Sequence, residues 1–593
     1  MRKELSLHGL FSLPSCGRCS SRASITNDCP ARGKTCFMAK EDNKKLRVAL
    51  LMDSFFQPRW AYKIIEDIQG SYFAAIVLVI KKSPSKRRAP RFFPKILERA
   101  GRVLWSLCLK LDSLAVSPYP DPFEQVDVGP LTSDFPVLTV QPFQNGQGDD
   151  LDEKDILKIG SYTIDVALDF GKRKIGGAAS RVAGCGVWSA GTSFNAIHSG
   201  GLPGFWEVMR GEAATEFTLR VAAGNGNPEK APYRSYTATD LFSVKGTQSK
   251  LYWKSAAAVV RKLHDLFEWG PSSLDWENPI SSPQLSHNFH SSDPTNSQML
   301  VFLLKIGKRR LQRKLLNSVR LEQWYLAYKL GDSGCSAPIS EDLQYMKPPK
   351  GLFWADPFPI QRDGKYYIFV EEFPYSLMKA HISVIEMDLE GKWKQPVKVL
   401  ETDYHLSYPF LFEWQEQLYM MPETKRNKTI EVYRCVEFPL KWEFEKVIID
   451  DVQAVDSTLH EVDGMWWLFC NIGGRDFSSN DELHIFHAKT PFGPWTPHKR
   501  NPVKSDVRSA RPAGRLFQRD RGLYRPSQDC SVRMGGAIVI NRVTTLTTEE
   551  FEEEAVARIE PTWRKGLLGT HTLNTAGALT MLDCFTHVRK YLS

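Results

Sequence analysis

The sequence predicts a two-part fold: an α/β domain with a parallel sheet, followed by an all-β propeller of five blades. In the first half, short unbroken apolar runs alternate with segments of helical period. In the second, a hairpin unit recurs about every 50 residues. Composition agrees, because 42% hydrophobic and 24% charged residues over 593 positions describe folded globular protein and exclude a disordered or fibrous chain. The net charge of +9 is spread along the chain rather than gathered in one stripe, so no nucleic-acid partner is expected.

Residues 1–37 open with MRKELSLHGLFSLPSC, whose apolar patch is too short for a signal peptide, and they read as a disordered leader. Cys16, Cys19, Cys29 and Cys36 include one CxxC, but no strand or turn pattern surrounds them and no metal is expected. Eleven Cys, most standing singly in apolar runs, exclude a disulfide scaffold and point to a reducing, cytoplasmic compartment. No run reaches eighteen apolar residues, so no spanning helix is expected.

LRVALLM (46–52) reads as a buried parallel strand, followed by the helical AYKIIEDI. AAIVLVI (74–80), IDVALDFG (164–171) and GCGVWSAG (184–191) read as further strands, which places an α/β domain over 46–270. The basic, Pro-broken KKSPSKRRAPRFFPK (81–95) reads as a solvated insert. Residues 271–298, rich in Ser, Pro and Asn, form a linker. A basic amphipathic helix over 299–318 carries Lys305, Lys308, Arg309, Arg310, Arg313 and Lys314, a pattern that suits an anionic membrane surface or a solvated connector.

The propeller is expected over 320–593. Its turn anchors are Asp363, Gln415, Asp463 and Asp520, at steps of 52, 48 and 57 residues. WYLAYKL (324–330) and the C-terminal GALTMLDCF close a fifth blade. Equivalent positions in different blades converge at one end of the channel. Eight residues after each anchor stand Glu371, Glu423, Asn471 and Gln528, and seven before stand Asp356, Tyr408, Asp456 and Ala513. Crowded carboxylates split their pKa values, which supplies one acid and one base for sugar chemistry. Asp356, Glu423, Asp456, Glu371 and Glu372 are the candidate catalytic residues. Asp356 is expected to be an ionised base beside Arg511 or Arg525, and Glu423 a protonated acid. Tyr408, Arg511, Arg525, Asp529, His460 and His571 are candidate substrate-binding residues, because Arg forks hold phosphate and His can donate to a leaving oxygen. The competing reading makes these groups solvated strand ends and blade-rim ion pairs.

FWADPFP, SYPFLFEW, SARPAGRLF, LYRPSQDCS and GTHTLN together resemble, over about residues 320–590, the propeller domain named after plant glucosamine inositolphosphorylceramide transferase. That domain is related in fold to the five-bladed arabinofuranosidase, xylosidase and invertase group. The resemblance implies that Asp356, early in the first blade, is a base or nucleophile and that a later Glu, here Glu423, is the acid.

GVWSAGT and GGLPGFWEVMRGEAATEFTLRV are similar to the formyltransferase domain of methionyl-tRNA and sugar formyltransferases. Members carry an Asn-x-His pair and a later Asp that polarise the formyl donor. Here Asn195 and His198 stand late and one residue too far apart, and Asn227 takes the Asp position. A neutral amide cannot accept the proton that formyl transfer releases. The domain is therefore expected to be an inactive relic and the protein to need no cofactor, 10-formyltetrahydrofolate entering only if the domain is active.

The function expected is a glycosyltransferase-type enzyme of cell-surface glycan or glycolipid biosynthesis. It would take a nucleotide-sugar or lipid-linked donor and a glycan or glycolipid acceptor, in the cytoplasm at the inner face of the membrane. The alternatives are a furanosidase-like glycoside hydrolase, a non-catalytic glycan-binding scaffold and an active sugar N-formyltransferase. A cytoplasmic location argues against the hydrolase.

Overall fold

The computed structural model describes residues 44–83, 112, 120–144, 149–171, 181–189, 204–222, 230–274, 294–331, 342–474 and 478–590. The leader, most of the basic insert, and Asn195, His198 and Asn227 lie outside the described residues.

From Val48 to Met52 the strand Leu46–Met52 is apolar and buried on both faces, which suits a strand covered on two sides. Val48, Leu50 and Met52 pack into one core with the helix Arg59–Gly70, while Ala49 and Leu51 enter a second core with Ile159. Five parallel strands lie in the spatial order Val137–Val140, Ala74–Lys82, Leu46–Met52, Val166–Asp169 and Val187–Ser189. The antiparallel hairpin Ala214–Ala222 and Lys230–Ala238 extends this sheet to seven strands. Neither hairpin strand was expected from the sequence, because Glu216, Arg220 and Lys230 interrupt their apolar pattern. The 26-residue helix Val244–Trp269 packs across the sheet, with its N-terminus capped by Ser243 Oγ accepting from Gly246 N at 2.8 Å.

The C-terminal region is a five-bladed propeller. The first blade is Leu352–Arg362, Lys365–Pro374, His381–Met387 and Val397–Leu400, from the channel outward. The second is Ser407–Trp414, Gln417–Glu423, Ile430–Glu437 and Lys441–Ile449, and the third Gln453–Val462, Met465–Gly473, Glu482–Ala488 and Thr496–Pro497. The fourth is Phe517–Arg519, Gly522–Asp529, Ala537–Leu546 and Phe551–Ile559. The fifth joins the two ends of the domain: Arg320–Leu330 pairs with Leu579–Arg589 along its whole length. Each expected turn anchor and the residue after it have positive φ (Asp363 and Gly364, Gln415 and Glu416, Asp463 and Gly464, Asp520 and Arg521), the geometry of a two-residue hairpin matched to strand twist.

The innermost strands share a second device. Their pairing register shifts between Ala355 and Phe358, Ser407 and Phe410, and Val455 and Thr458. At each shift a non-glycine residue takes positive φ: Asp356 at 50°, Tyr408 at 45° and Asp456 at 51°. In the fourth blade the role falls to Gly514, at φ 124°.

The two halves are not merely tethered. Arg261 of the long helix forks onto Glu482 of the third blade at 2.7 and 2.9 Å, and Tyr233 donates to the same carboxylate at 2.9 Å. Thr237 and Lys254 reach Asp481 at 2.8 and 3.1 Å. Although burial pushes the other way, Arg261 holds the Glu482 carboxyl well below the usual range.

A Cβ on Gly514 would stand 2.1 Å from the Leu573 carbonyl oxygen, whereas one on Gly364 (φ 69°) would meet nothing within 4 Å. Gly364→Ala is therefore expected to cost about 1 kcal/mol for the left-handed backbone alone. Gly514→Ala should cost several times that, because it also forces the fourth and fifth blades apart. Urea denaturation of the two variants reads the difference.

Candidate functional site

The strand bulges aim side chains from several blades into one buried cluster. Asp356 Oδ2 accepts from Tyr408 N of the second blade at 3.1 Å, and Oδ1 accepts from Thr572 Oγ1 at 2.6 Å. Asp356 N donates to Asp583 of the fifth blade at 3.2 Å. His571 lies between the two acids, with Nε2 3.6 Å from Asp356 Oδ1 and Nδ1 against Asp583 Oδ2, and its ring stacks on Trp324 at 4.2 Å. Burial disfavours the imidazolium, but Asp583 and Asp356 lift the His571 pKa to about 9, so the ring is charged at neutral pH. Burial pushes Asp356 up to about 6 against the pull of that cation, with Asp456 and Asp583 adding to the rise.

Asp356, His571 and Asp583 each offer an atom within 4.8 Å of the others, as a metal site requires. With His571 charged, the trio is an imidazolium held between two carboxyls.

Across the channel, Arg511 forks onto Asp456 at 2.6 and 3.2 Å and donates to Asn480 Oδ1 at 2.8 Å. Gln528 donates to the same aspartate at 2.6 Å. Glu423 touches Asp456, and its Oε2, 3.8 Å from Arg511 Nη2, has no hydrogen-bond partner. Burial and Asp456 push Glu423 up to about 8, against Arg511 and Lys425. Glu371 is held well above the usual carboxylate range by burial and by Asp356, and it faces His405 Nε2 at 3.3 Å. Burial and Arg426 lower His405 to about 4, which makes it a neutral donor. Asn471, fully buried at the matching position of the third blade, has neither amide atom bonded. The result is a ring of carboxyls pushed apart in acidity: Asp356 ionised and Glu423 protonated at neutral pH, with Glu371 held above the usual carboxylate range beside them.

Asp356, Glu371, Glu423, Asp456, Arg511 and His571 thus come together. Other candidates do not. Glu372 points to the opposite face of its strand, accepting from Trp354 Nε1 at 2.8 Å and His381 Nε2 at 3.0 Å, because successive strand residues alternate sides. Arg525, expected to sit near Asp356, is fully buried inside the fourth blade and forks onto Glu553 at 2.8 and 2.6 Å. Asp529 is held by Arg558 at 2.6 Å, and Arg508 by Asp506 at 2.7 and 2.8 Å. Arg515 donates to the Leu411 carbonyl at 2.6 Å. His460 lies four residues further along its strand than Asp456, toward the turn, with burial lowering its pKa. Tyr408 is a pin rather than an open ligand, since its hydroxyl meets Thr458 Oγ1 and Gly514 N, both at 2.8 Å. Arg511 stands beside Asp456 instead of Asp356, and its fork is filled by protein.

Sequence reasoning missed Asp583, Thr572, His405 and Lys425. Applied to the fifth hairpin at Gly577, the repeat offsets land on Thr570 and Phe585, beside the functional residues but not on them. Lys425 and His405 lie in connections after the second strand of one blade and before the first of the next, where no offset holds.

Residues 343–569 match the family model described as "Glucosamine inositolphosphorylceramide transferase 1, N-terminal". Glucosamine inositolphosphorylceramide transferase 1 of Oryza sativa subsp. japonica is 39% identical over 208 residues, covering 34% of this chain and 28% of that protein. The protein of the same name from Arabidopsis thaliana is 36% identical over 218 residues, covering 36% and 28%. The matched stretch spans under a third of these relatives' length. A family 117 glycoside hydrolase of the marine bacterium Zobellia galactanivorans aligns over 44% of this chain and 90% of its own, at 12% identity and a TM-score of 0.30.

An acid whose pKa rises on folding from 4.5 to about 8 binds its proton more tightly in the native state. Its contribution to stability is fully present below pH 4.5 and is lost as pH climbs to about 8. Glu423→Gln is therefore expected to flatten the fall in melting temperature between these values. An unchanged slope would place Glu423 in an ordinary solvated environment.

Proposed function

We propose that the chain is a glycosyl-transferring enzyme of glycolipid assembly, with its reacting groups at the mouth of the propeller. The observation that carries this reading is the pairing of an ionised Asp356 with a protonated Glu423 in one buried ring of carboxyls. The similarity to the N-terminal part of proteins named for transfer of glucosamine to inositolphosphorylceramide supports the substrate class.

In this scheme Asp356 takes the proton of the acceptor hydroxyl as the new bond to the anomeric carbon forms. Glu423 gives its proton to the oxygen that departs from that carbon. His571, held by Asp583, keeps Asp356 ionised. Arg511 pairs with Asp456 beside Glu423, and Asp456 contributes to holding the acid's proton in place. Glu371, held above the usual carboxylate range by burial and by Asp356, lies in the same ring to contact the sugar. Glu423, at about 8, is matched to donate a proton near neutral pH. The filled forks of Arg511 and Arg525 remove them as phosphate ligands. Lys425, which reaches Ser479 Oγ at 3.0 Å, is the cation placed beside Glu423 to meet a negatively charged leaving group.

Transfer from nucleotide-activated glucosamine to inositolphosphorylceramide in mixed micelles tests this. Asp356→Asn and Glu423→Gln should each lower the rate by about 100- to 10,000-fold in chains that circular dichroism shows to be still folded at the assay temperature. The pH profile of kcat/KM should be bell-shaped, with limbs near 6 and 8 from the same two groups. Wild-type activity in both variants overturns the assignment. Release of free sugar with no glycolipid product would move the reading to hydrolysis.

We further read the N-terminal sheet as a formyltransferase-like domain without formyl transfer, on the altered motif around Asn195, His198 and Asn227. The full chain incubated with 10-formyltetrahydrofolate and amino-sugar nucleotides should form no N-formyl product. Turnover abolished by His198→Ala would reverse that reading.

A further inference from the structure

The helix Asn296–Val319 has two apolar faces, and the protein covers one. Met299, Phe302 and Ile306 are buried against Phe205, Trp206 and Val244. Leu300, Leu304, Leu311 and Leu315, at steps of four, seven and four residues, share the opposite face, and each is more than half exposed. Val319 extends this stripe toward the propeller. Among the described residues no other helix exposes large apolar side chains in such a row.

The basic residues of the helix divide in the same way. Arg309 donates to the Val208 and Leu241 carbonyls at 2.6 and 3.1 Å, and Arg310 reaches Asp112 at 2.6 Å and the Phe242 carbonyl at 2.7 Å. These two bind the α/β domain and are not the surface cations that the sequence reading made of them. Lys308 and Lys314 remain exposed along the stripe. From Pro294 to Leu321 the chain has seven Lys and Arg and no Asp or Glu. An apolar stripe edged by Lys, without an acid to repel phosphate, is complementary to an anionic lipid surface.

Its placement adds a direction. The helix runs straight into Arg320–Leu330, whose Arg320 pairs with Arg589 and whose Leu330 pairs with Leu579 at the hairpin. Asp583 of the carboxyl ring pairs with Leu326 between them. The helix therefore meets the fifth blade at the end beyond the carboxyl ring, away from the hairpin turns.

We infer that the exposed face of this helix docks on an anionic bilayer, with the mouth of the propeller turned toward the membrane. The orientation rests on the glycolipid reading above; the docking does not.

Co-sedimentation of the full chain with phosphatidylcholine vesicles, with and without about 30% phosphatidylserine, tests it. The chain should pellet with the anionic vesicles and weaken with salt. Leu304→Gln/Leu311→Gln/Leu315→Gln should lose at least about tenfold in vesicle affinity, and Lys308→Gln/Lys314→Gln should lose part of it. Asp356→Asn should pellet like wild type, so binding that persists without any sugar transfer would count against the glycolipid reading alone. Failure of the wild type to pellet, or equal pelleting of both multiple variants, overturns the docking. So does a dimer in light scattering that the triple Leu variant abolishes without vesicle binding, which would assign the face to a second copy.

Discussion

The propeller depends on one buried charge. His571 stands between Asp356 of the first blade and Asp583 of the fifth, across the seam where the two ends of the domain meet. Two carboxylates so placed would repel in a medium that solvates them poorly, and closure would carry that penalty. The imidazolium removes it, and Trp324 stacked on the ring keeps it from turning away. The same charge lets Asp356 ionise near pH 6 despite complete burial. Closure of the fold and protonation state of the site therefore share a cause.

The second constraint is the repeated strand bulge. A residue forced to positive φ costs energy unless the surroundings determine it. Here they do. The backbone N–H freed at Asp356 finds Asp583, that at Tyr408 finds Asp356, and the Tyr408 hydroxyl receives the N–H of Gly514. Each bulge thus satisfies a neighbour, and four blades become cross-linked at the level of the carboxyls. A carboxylate used in this way has structural and chemical duties together, which explains why its environment is so closely defined.

The α/β half is bonded to the third blade through buried charge pairs rather than apolar contact alone. Arg261 finds Glu482, and Lys254 finds Asp481, only when the two halves meet. Pairs of this kind add little net stability, but they penalise any other docking, because a misplaced half would leave a charge buried and alone. That specificity fixes the basic helix, packed on Phe205 and Trp206, relative to the mouth of the propeller.

Hairpin periodicity was legible because each blade writes its own turn and alternation locally: Asp363-Gly364 and Asp463-Gly464 need no distant partner to prefer positive φ. The buried strand at 46–52 was legible for the same reason. Asp356, Glu371, Glu423 and Asp456 could be singled out because a repeat maps equal offsets onto equal places. What the sequence could not state is which charge meets which. Arg525 and Arg511 look alike in the chain, yet one is sealed into a blade with Glu553 and the other reaches Asp456 of the neighbouring third blade. Asp583 and His571 escaped the offsets because the fifth blade is assembled from both ends of the domain, where no local rule carries the register. Local pattern determined the elements and their repeat. Pairing of charges, and with it the protonation of every group in the site, was decided only by burial and distance in the folded molecule.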